Sequence, residues 1–487
     1  MATLSAEARR RLTLAACIVG SSLAFIDATV VFIALPTIES DLDLGLTGQQ
    51  WIVLSYSLAL AALYLPAGAV GDRYGRRRTF VAGAIGFALA SVLAGAAPDG
   101  ALLIAARAVQ GIAGAFLTTN SLALIRGVYG ADSGRAIGLW TSFTSVATIA
   151  GPPAGGALVE FVSWRWIFFI NIPLAAATVV LAQLGRCEER AFVRVGRLDV
   201  PGAALAALAF GTLTYGLVEG ADRGFGELWW AFAIALPALV AFFVVEQRVA
   251  EPMLPLRLFR ERNFAVANAE TFLVYGALYG QLVFFQLFLQ FLGFSPFEAS
   301  LLSVPPSAIM ILLAARFGGL ADRHGPRLYL SAGPFLVGVA LLLLLLVSSR
   351  DDFWVAGSAS LFLFAFGLAI FVAPITSTAL KSAPTEFAGV ASGVNSMVSR
   401  LGNLIAVAVI GVVITLVFDS QVAAEGAVPL ARDQEGESLR AASLDAFRAG
   451  MILAAVLAFA GAAVAALGIS DSEARGERAA EATPAET

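Results

Sequence analysis

The stretch GDRYGRRRTF, residues 71–80, separates two long apolar runs. One acid and four arginines, Asp72, Arg73, Arg76, Arg77 and Arg78, crowd around the turn residue Gly75. A weaker copy, LADRHGPRLY, occupies residues 320–329. Both follow the pattern Gly-x-x-x-Asp-Arg-x-Gly-x-Arg. The first uses Gly68, Asp72, Arg73, Gly75 and Arg77, the second Gly318, Asp322, Arg323, Gly325 and Arg327. The offset of 250 residues (72 to 322) marks a repeated architecture rather than a local accident.

The surroundings are those of a membrane. The chain of 487 residues is 59% hydrophobic and 14% charged, with mean hydropathy +0.83. A soluble domain carries about 25% charged residues. Apolar stretches of 18 or more residues recur from end to end, and each reads as a spanning helix. Fourteen spans are expected: 12–36, 50–71, 79–97, 101–125, 136–159, 166–184, 200–219, 227–246, 264–292, 297–319, 328–347, 354–378, 387–418 and 447–469. The start RRRLTLAACIVGSSLAF resembles a secretory signal, but its apolar run continues to Pro36, so it reads as an uncleaved first span. Cys17 and Cys187 make neither a disulfide framework nor a metal site. No segment reads as a soluble catalytic or nucleotide-binding domain. An enzyme is therefore not expected, and the absence of the phosphate-binding pattern G-x-x-x-x-G-K-[ST] argues against an ATP-driven pump. No cofactor or metal is implied.

Charge sets the expected orientation. With both termini inside, 22 of the 31 Lys and Arg residues fall in inner segments, six in outer segments, and Arg107, Arg316 and Arg400 within spans. This positive-inside bias makes both termini cytoplasmic and the span number even. Each charged loop follows the second span of a six-span unit. The expected organisation is a bundle over 1–185, a linker with two inserted spans over 186–262, a second bundle over 263–469 and a disordered cytoplasmic tail over 470–487.

Further motifs carry a family resemblance. The loop at 71–80 resembles the signature between spans 2 and 3 of the major facilitator superfamily. LAFIDATVVFIALP (23–36), RAVQGIAGA (107–115), GPPAGG (151–156) and WRWIFFINIP (164–173) are similar, in order, to motifs of its fourteen-span drug:proton antiporter branch. The resemblance runs from about residue 12 to 469. It implies an all-α major facilitator fold of two six-helix bundles plus two inserted central helices. It also implies an inner gate at Gly68, Asp72, Arg73, Gly75, Arg76 and Arg77. A weaker second gate falls at Asp322 and Arg323, where Pro326 interrupts the arginine run. The antiporter hinge falls on Gly151, Pro152, Gly155 and Gly156, although the plainer reading of these residues is a packing kink.

Three ionisable residues inside spans invite a proton role. Asp27 lies near mid-membrane, where a carboxylate must be neutral, paired or in a wet cavity. The plainer reading is a hydrogen bond to Thr29. Arg107 cannot easily lose its proton and needs a partner. Asp27 is the partner sought, and the resemblance gives Arg107 a part in proton coupling. Glu270 is read as a second titrating site or a cation-binding acid. A pair with Arg262 is the plainer alternative, and Arg400 is a more distant one. Tyr275, Tyr279, Gln286, Gln110 and Arg400 are expected to line the substrate cavity. Trp164, Arg165, Trp166 and Asn171 are read as interface anchors and family markers only.

The resulting expectation is a proton-coupled exporter of lipophilic or cationic drugs or metabolites, working by alternating access as a monomer in a bacterial inner membrane. Its partners are protons, a small-molecule substrate and the bilayer, with no nucleic acid. Two alternatives stay open: a narrow exporter of one metabolite or lipid, and a non-transporting receptor or assembly factor on the same fold.

Overall fold

The computed structural model describes residues 5–130, 133–185, 199–249, 252, 254–383, 388–422, 427–432, 434 and 436–471. The tail expectation, save residues 470 and 471, lies outside these residues, as do Cys187, Arg186, Arg190, Arg194 and Arg197. Among the described residues all regular structure is helical.

The helices in chain order are α1 (Ala6–Leu42), α2 (Gly45–Tyr74), α3 (Arg76–Gly95), α4 (Gly100–Tyr129), α5 (Ser133–Phe161), α6 (Trp166–Phe169), α7 (Asn171–Leu184), α8 (Val200–Arg223) and α9 (Trp229–Arg248). They continue with α10 (Arg262–Phe291), α11 (Pro296–Leu301), α12 (Val304–His324), α13 (Arg327–Leu343), α14 (Arg350–Asp352), α15 (Ser358–Lys381), α16 (Ala388–Asp419) and α17 (Glu437–Gly468). Short polar residues start several of them by accepting backbone N–H groups that have no intrahelical partner. Ser5 accepts from Ala8, Asp99 from Leu102 and Asp199 from Gly202. Ser295 and Glu298 form a reciprocal capping box on α11.

Helix covers all fourteen expected segments, but fewer qualify as spans. Twelve helices among the described residues are long and apolar enough to cross a membrane. Counting the pair Gly45–Tyr64 and Pro66–Tyr74, bent by 53°, as one span makes thirteen. The expected count of fourteen is therefore not reached on length and composition. The remaining segment, 136–159, lies in α5. Glycines, hydroxyl residues and the Pro152–Pro153 pair dilute its apolar content. The protein is a multi-pass membrane protein.

The chain divides into two compact units. Unit 1 comprises Met1–Met253 and Phe294–Val304, and unit 2 comprises Leu254–Gly293 and Pro305–Thr487. In unit 1, α2 and α3 pack on α4, α1 packs on α5 and α7, and α8 packs on α9 and α2. In unit 2, α13 packs on α15 and α17, and α10 packs on α16 and α17. Small residues set the closest seams. A Cβ at Gly83 would lie 2.9 Å from the Leu117 backbone nitrogen and 3.0 Å from the Ala113 carbonyl of α4. At Gly333, in the same relative position of the second repeat, it would lie 2.8 Å from the Gly367 carbonyl of α15. The repeat seen in the charged loops thus extends to backbone packing.

Candidate functional site

The centre of unit 1 holds a buried polar cluster fed by α1, α2, α3, α4 and α7. Arg107 Nη1 of α4 donates to Asp27 Oδ2 of α1 at 2.6 Å. Both residues are at most 2% exposed. Arg107 Nη1 also donates to Gln110 Oε1 at 2.8 Å, and Nε to the Ile52 carbonyl of α2 at 3.2 Å. The Arg107 guanidinium lies 4.4 Å from the Tyr56 ring centroid, adding a cation–π contact. Asp27 Oδ1 accepts from Asn171 Nδ2 of α7 at 2.8 Å and from Gln110 Nε2 at 3.4 Å. Ser91 of α3 closes the ring, accepting from Gln110 at 2.8 Å and from Asn171 at 3.3 Å. A buried ion pair is costly unless its remaining polar atoms are bonded, and here the Gln110 and Asn171 side chains and the Ile52 carbonyl do this, with Ser91 bonding the two amides in turn.

The expected Asp27–Arg107 pair is therefore in place. The plainer hydrogen bond from Thr29 is not, because its hydroxyl donates to the Phe25 and Ile26 carbonyls. Gln110, expected in the substrate cavity, is instead fully buried within the ion-pair cluster. Asn171 and Ser91 were not expected there. Asn171 lies inside WRWIFFINIP, which reads as a family marker, yet its amide holds the carboxylate. Trp164 is likewise no simple interface anchor. It is 3% exposed, and its indole donates to Asp41 at 2.9 Å, as does Arg165 at 2.8 Å. Trp166 is exposed, as an anchor would be.

Unit 2 offers a contrast. Glu270 of α10 is 0% exposed, and neither carboxylate oxygen has a hydrogen-bond partner among the described residues. Neither alternative pairing, with Arg262 or with Arg400, forms among the described residues. Arg262 instead caps the end of α17 through the Gly468 and Leu467 carbonyls at 2.7 and 3.2 Å. The acid faces α17, where its Cγ would stand 3.8 Å from a Cβ at Gly461. Nearby polar groups bond each other: Asn395 donates to Thr271 at 3.0 Å and to Asn268 at 3.4 Å. Tyr275, Tyr279 and Arg400 are half-buried, and Gln286 is buried.

The two charged loops also differ in wiring. In the first, Arg76 Nε donates to Asp72 at 2.7 Å, and its Nη1 reaches the Ala123 carbonyl near the end of α4 at 3.1 Å. Arg77 reaches Gln183 at 3.4 Å, and Arg73 stacks over the Tyr74 ring at 5.6 Å. Gly68 faces open space. In the second, Asp322 accepts from Lys381 at the end of α15 at 2.7 Å and from Ser377 at 3.2 Å. Arg323 is exposed. Both turns need glycine, since Gly75 and Gly325 have φ of 98° and 97°.

The small residues of α5 serve close helix contacts. A Cβ at Gly151 would meet Thr29 and Ile26 of α1, and one at Gly155 would overlap Val30. Gly156 instead receives Ser300 and Pro296 of α11, and Pro152 sits half-buried between them in sequence.

Membrane-spanning helices with a buried ion pair in unit 1 and a buried acid in unit 2 are the features expected of a membrane transporter. Comparison with known proteins places it. The Major Facilitator Superfamily model matches residues 17–407 and 271–486. The multidrug resistance protein Stp of Mycobacterium tuberculosis is 36% identical over 83% of this chain and 75% of its own. The tetracenomycin C resistance and export protein of Streptomyces glaucescens is 34% identical over 82% and 75%. A bacterial homologue of the human lysosomal transporter Spinster, in an inward-facing unoccupied conformation, shares the fold with a TM-score of 0.68 at 19% identity. That match covers 96% of this chain and 98% of that one. The chain belongs to the major facilitator superfamily.

Proposed function

We propose that this protein is a proton-coupled exporter of lipophilic or cationic drugs or metabolites, working by alternating access as a monomer in a bacterial inner membrane with both termini cytoplasmic. The drug-resistance and export names of its relatives support the cargo class. The observation that carries the coupling is the buried Asp27–Arg107 pair with Asn171 on its free oxygen.

Arg107 keeps its charge, so Asp27 is the member of the pair that can change state. When Asp27 takes a proton it becomes a donor, and Arg107 loses its counter-charge. The guanidinium then rests on Gln110, the Ile52 carbonyl and the Tyr56 face. Asn171 suits both states. Its Nδ2 donates to the carboxylate, while its Oδ1 is buried without a partner among the described residues and can accept the acid O–H after the amide turns over. Glu270 is the second proton-loading acid of this reading, acting without a fixed cation. Tyr275, Tyr279, Gln286 and Arg400 of unit 2 are its cargo-contacting residues. The loops at Asp72 and Asp322 gate the inner side, and the glycines of α5 form the hinge. The domain reading is two six-helix bundles over 1–185 and 263–469, with the linker 186–262 contributing two inserted helices.

The test uses purified protein in liposomes under an imposed proton gradient, with ethidium as the efflux probe. Wild type moves ethidium only with the gradient, and Asp27→Asn stops it. Gradient-driven efflux that survives the mutation removes Asp27 from the mechanism. A wild type that moves ethidium equally without a gradient removes proton coupling altogether.

A further inference from the structure

One face of unit 1 carries a feature that proton coupling does not use. An open groove of about 600 Å³ runs between α2, α3 and α4. Its floor is apolar and shallow because Ala82, Gly83 and Gly86 of α3 present almost no side chain. Its α4 wall includes Val109 and Ile112, which are 44% and 40% exposed. From Arg78 to Gly86 the α3 floor is about 12 Å long at 1.5 Å per residue. In a membrane-spanning segment an exposed apolar trough is filled by hydrocarbon rather than water.

The loop end of the groove is different. Tyr74 and Arg78 form its mouth, and Tyr74 is 60% exposed. Arg78 is exposed and makes no hydrogen bond or ion pair among the described residues. Arg73 stands over the Tyr74 ring and has no acid partner among the described residues. Asp72, the acid of this loop, is already engaged by Arg76. The mouth therefore presents the Arg78 guanidinium and the Tyr74 phenol, with the Arg73 guanidinium beside them against the Tyr74 ring and an acyl-sized trough leading away.

We propose that this groove binds one anionic phospholipid, its phosphate on Arg78 and Arg73 and one acyl chain along α3. The charge excess at the mouth selects an anionic over a zwitterionic headgroup, and arginine forks match phosphate oxygens. Because Arg78 directly follows Arg76 and Arg77, the lipid ties the first charged loop to the composition of the leaflet it faces.

The test is native mass spectrometry of the full-length protein in detergent, titrated with phosphatidylglycerol or phosphatidylcholine of equal chain length. Wild type retains one phosphatidylglycerol in preference. Arg78→Gln lowers that preference about five-fold, the effect of one basic residue at an anionic headgroup, and Arg78→Lys keeps it. Gly86→Leu fills the trough and lowers retention of both lipids. Val109→Trp does the same from α4, independently of any packing fault at Gly86. Equal retention of the two lipids by wild type overturns the proposal. So does wild-type binding in both groove variants. Displacement of phosphatidylglycerol by ethidium at one-to-one stoichiometry would instead make the groove a cargo site.

Discussion

Asp27 and Glu270 are both buried carboxylates on membrane-spanning helices, yet their surroundings are opposite. Asp27 accepts from a guanidinium and two amides, and the network spreads over five helices. Glu270 has burial but no donor among the described residues. The difference teaches that one sequence feature, an acid in an apolar run, has two physical outcomes. One acid is tied into a network of a guanidinium and two amides. The other is a lone polar group pressed against a glycine face of α17, where a charge would cost several kcal/mol without compensation.

Substitutions can break or sharpen this contrast. The largest expected effect is Arg107→Ala, which strands Asp27 and costs about 3–5 kcal/mol of stability, read as loss of folded protein in thermal unfolding. Pairing it with Asp27→Asn recovers much of that stability but not transport. The next effect is Gly75→Ala, whose backbone conformation costs a side chain about 1–3 kcal/mol. Gly325→Ala should match it if the two loops are equivalent in backbone. Lys381→Ala removes a half-exposed ion pair to Asp322 and should cost no more than about 1 kcal/mol. Glu270→Gln is the smallest, with an unfolding temperature close to wild type, because the residue has no partner to lose. A large loss of stability in Glu270→Gln would show a partner and erase the contrast.

Much of this arrangement is legible in the sequence because the strongest signals are long. Apolar runs locate the helices, and one offset of 250 residues (72 to 322) relates both the charged loops and the Gly83 and Gly333 seams. The Asp27–Arg107 pair is legible because two ionisable groups in lipid-spanning segments need each other. What escapes notice is carried by single neutral residues. Asn171 and Ser91 look like any polar residue in an apolar run, and only the crossing of α3 and α7 brings them to Asp27. Lys381 escapes for a related reason. It lies 59 residues from Asp322, at the end of a helix whose packing no local pattern reveals. The expected span count is left one short, on length and composition, at α5, where glycine, proline and hydroxyl residues serve close helix contacts and weaken the hydropathy signal.

The Lys381–Asp322 contact has a practical consequence. Lys381 is the one lysine in the sequence, so it carries the only side-chain amine. An amine-selective reagent therefore marks a single internal position, the join between α12 and α15. Its reaction is slowed while the ammonium is held by Asp322. If the second loop gates as proposed, the labelling rate at Lys381, compared with and without a proton gradient, times its opening with no engineered reporter.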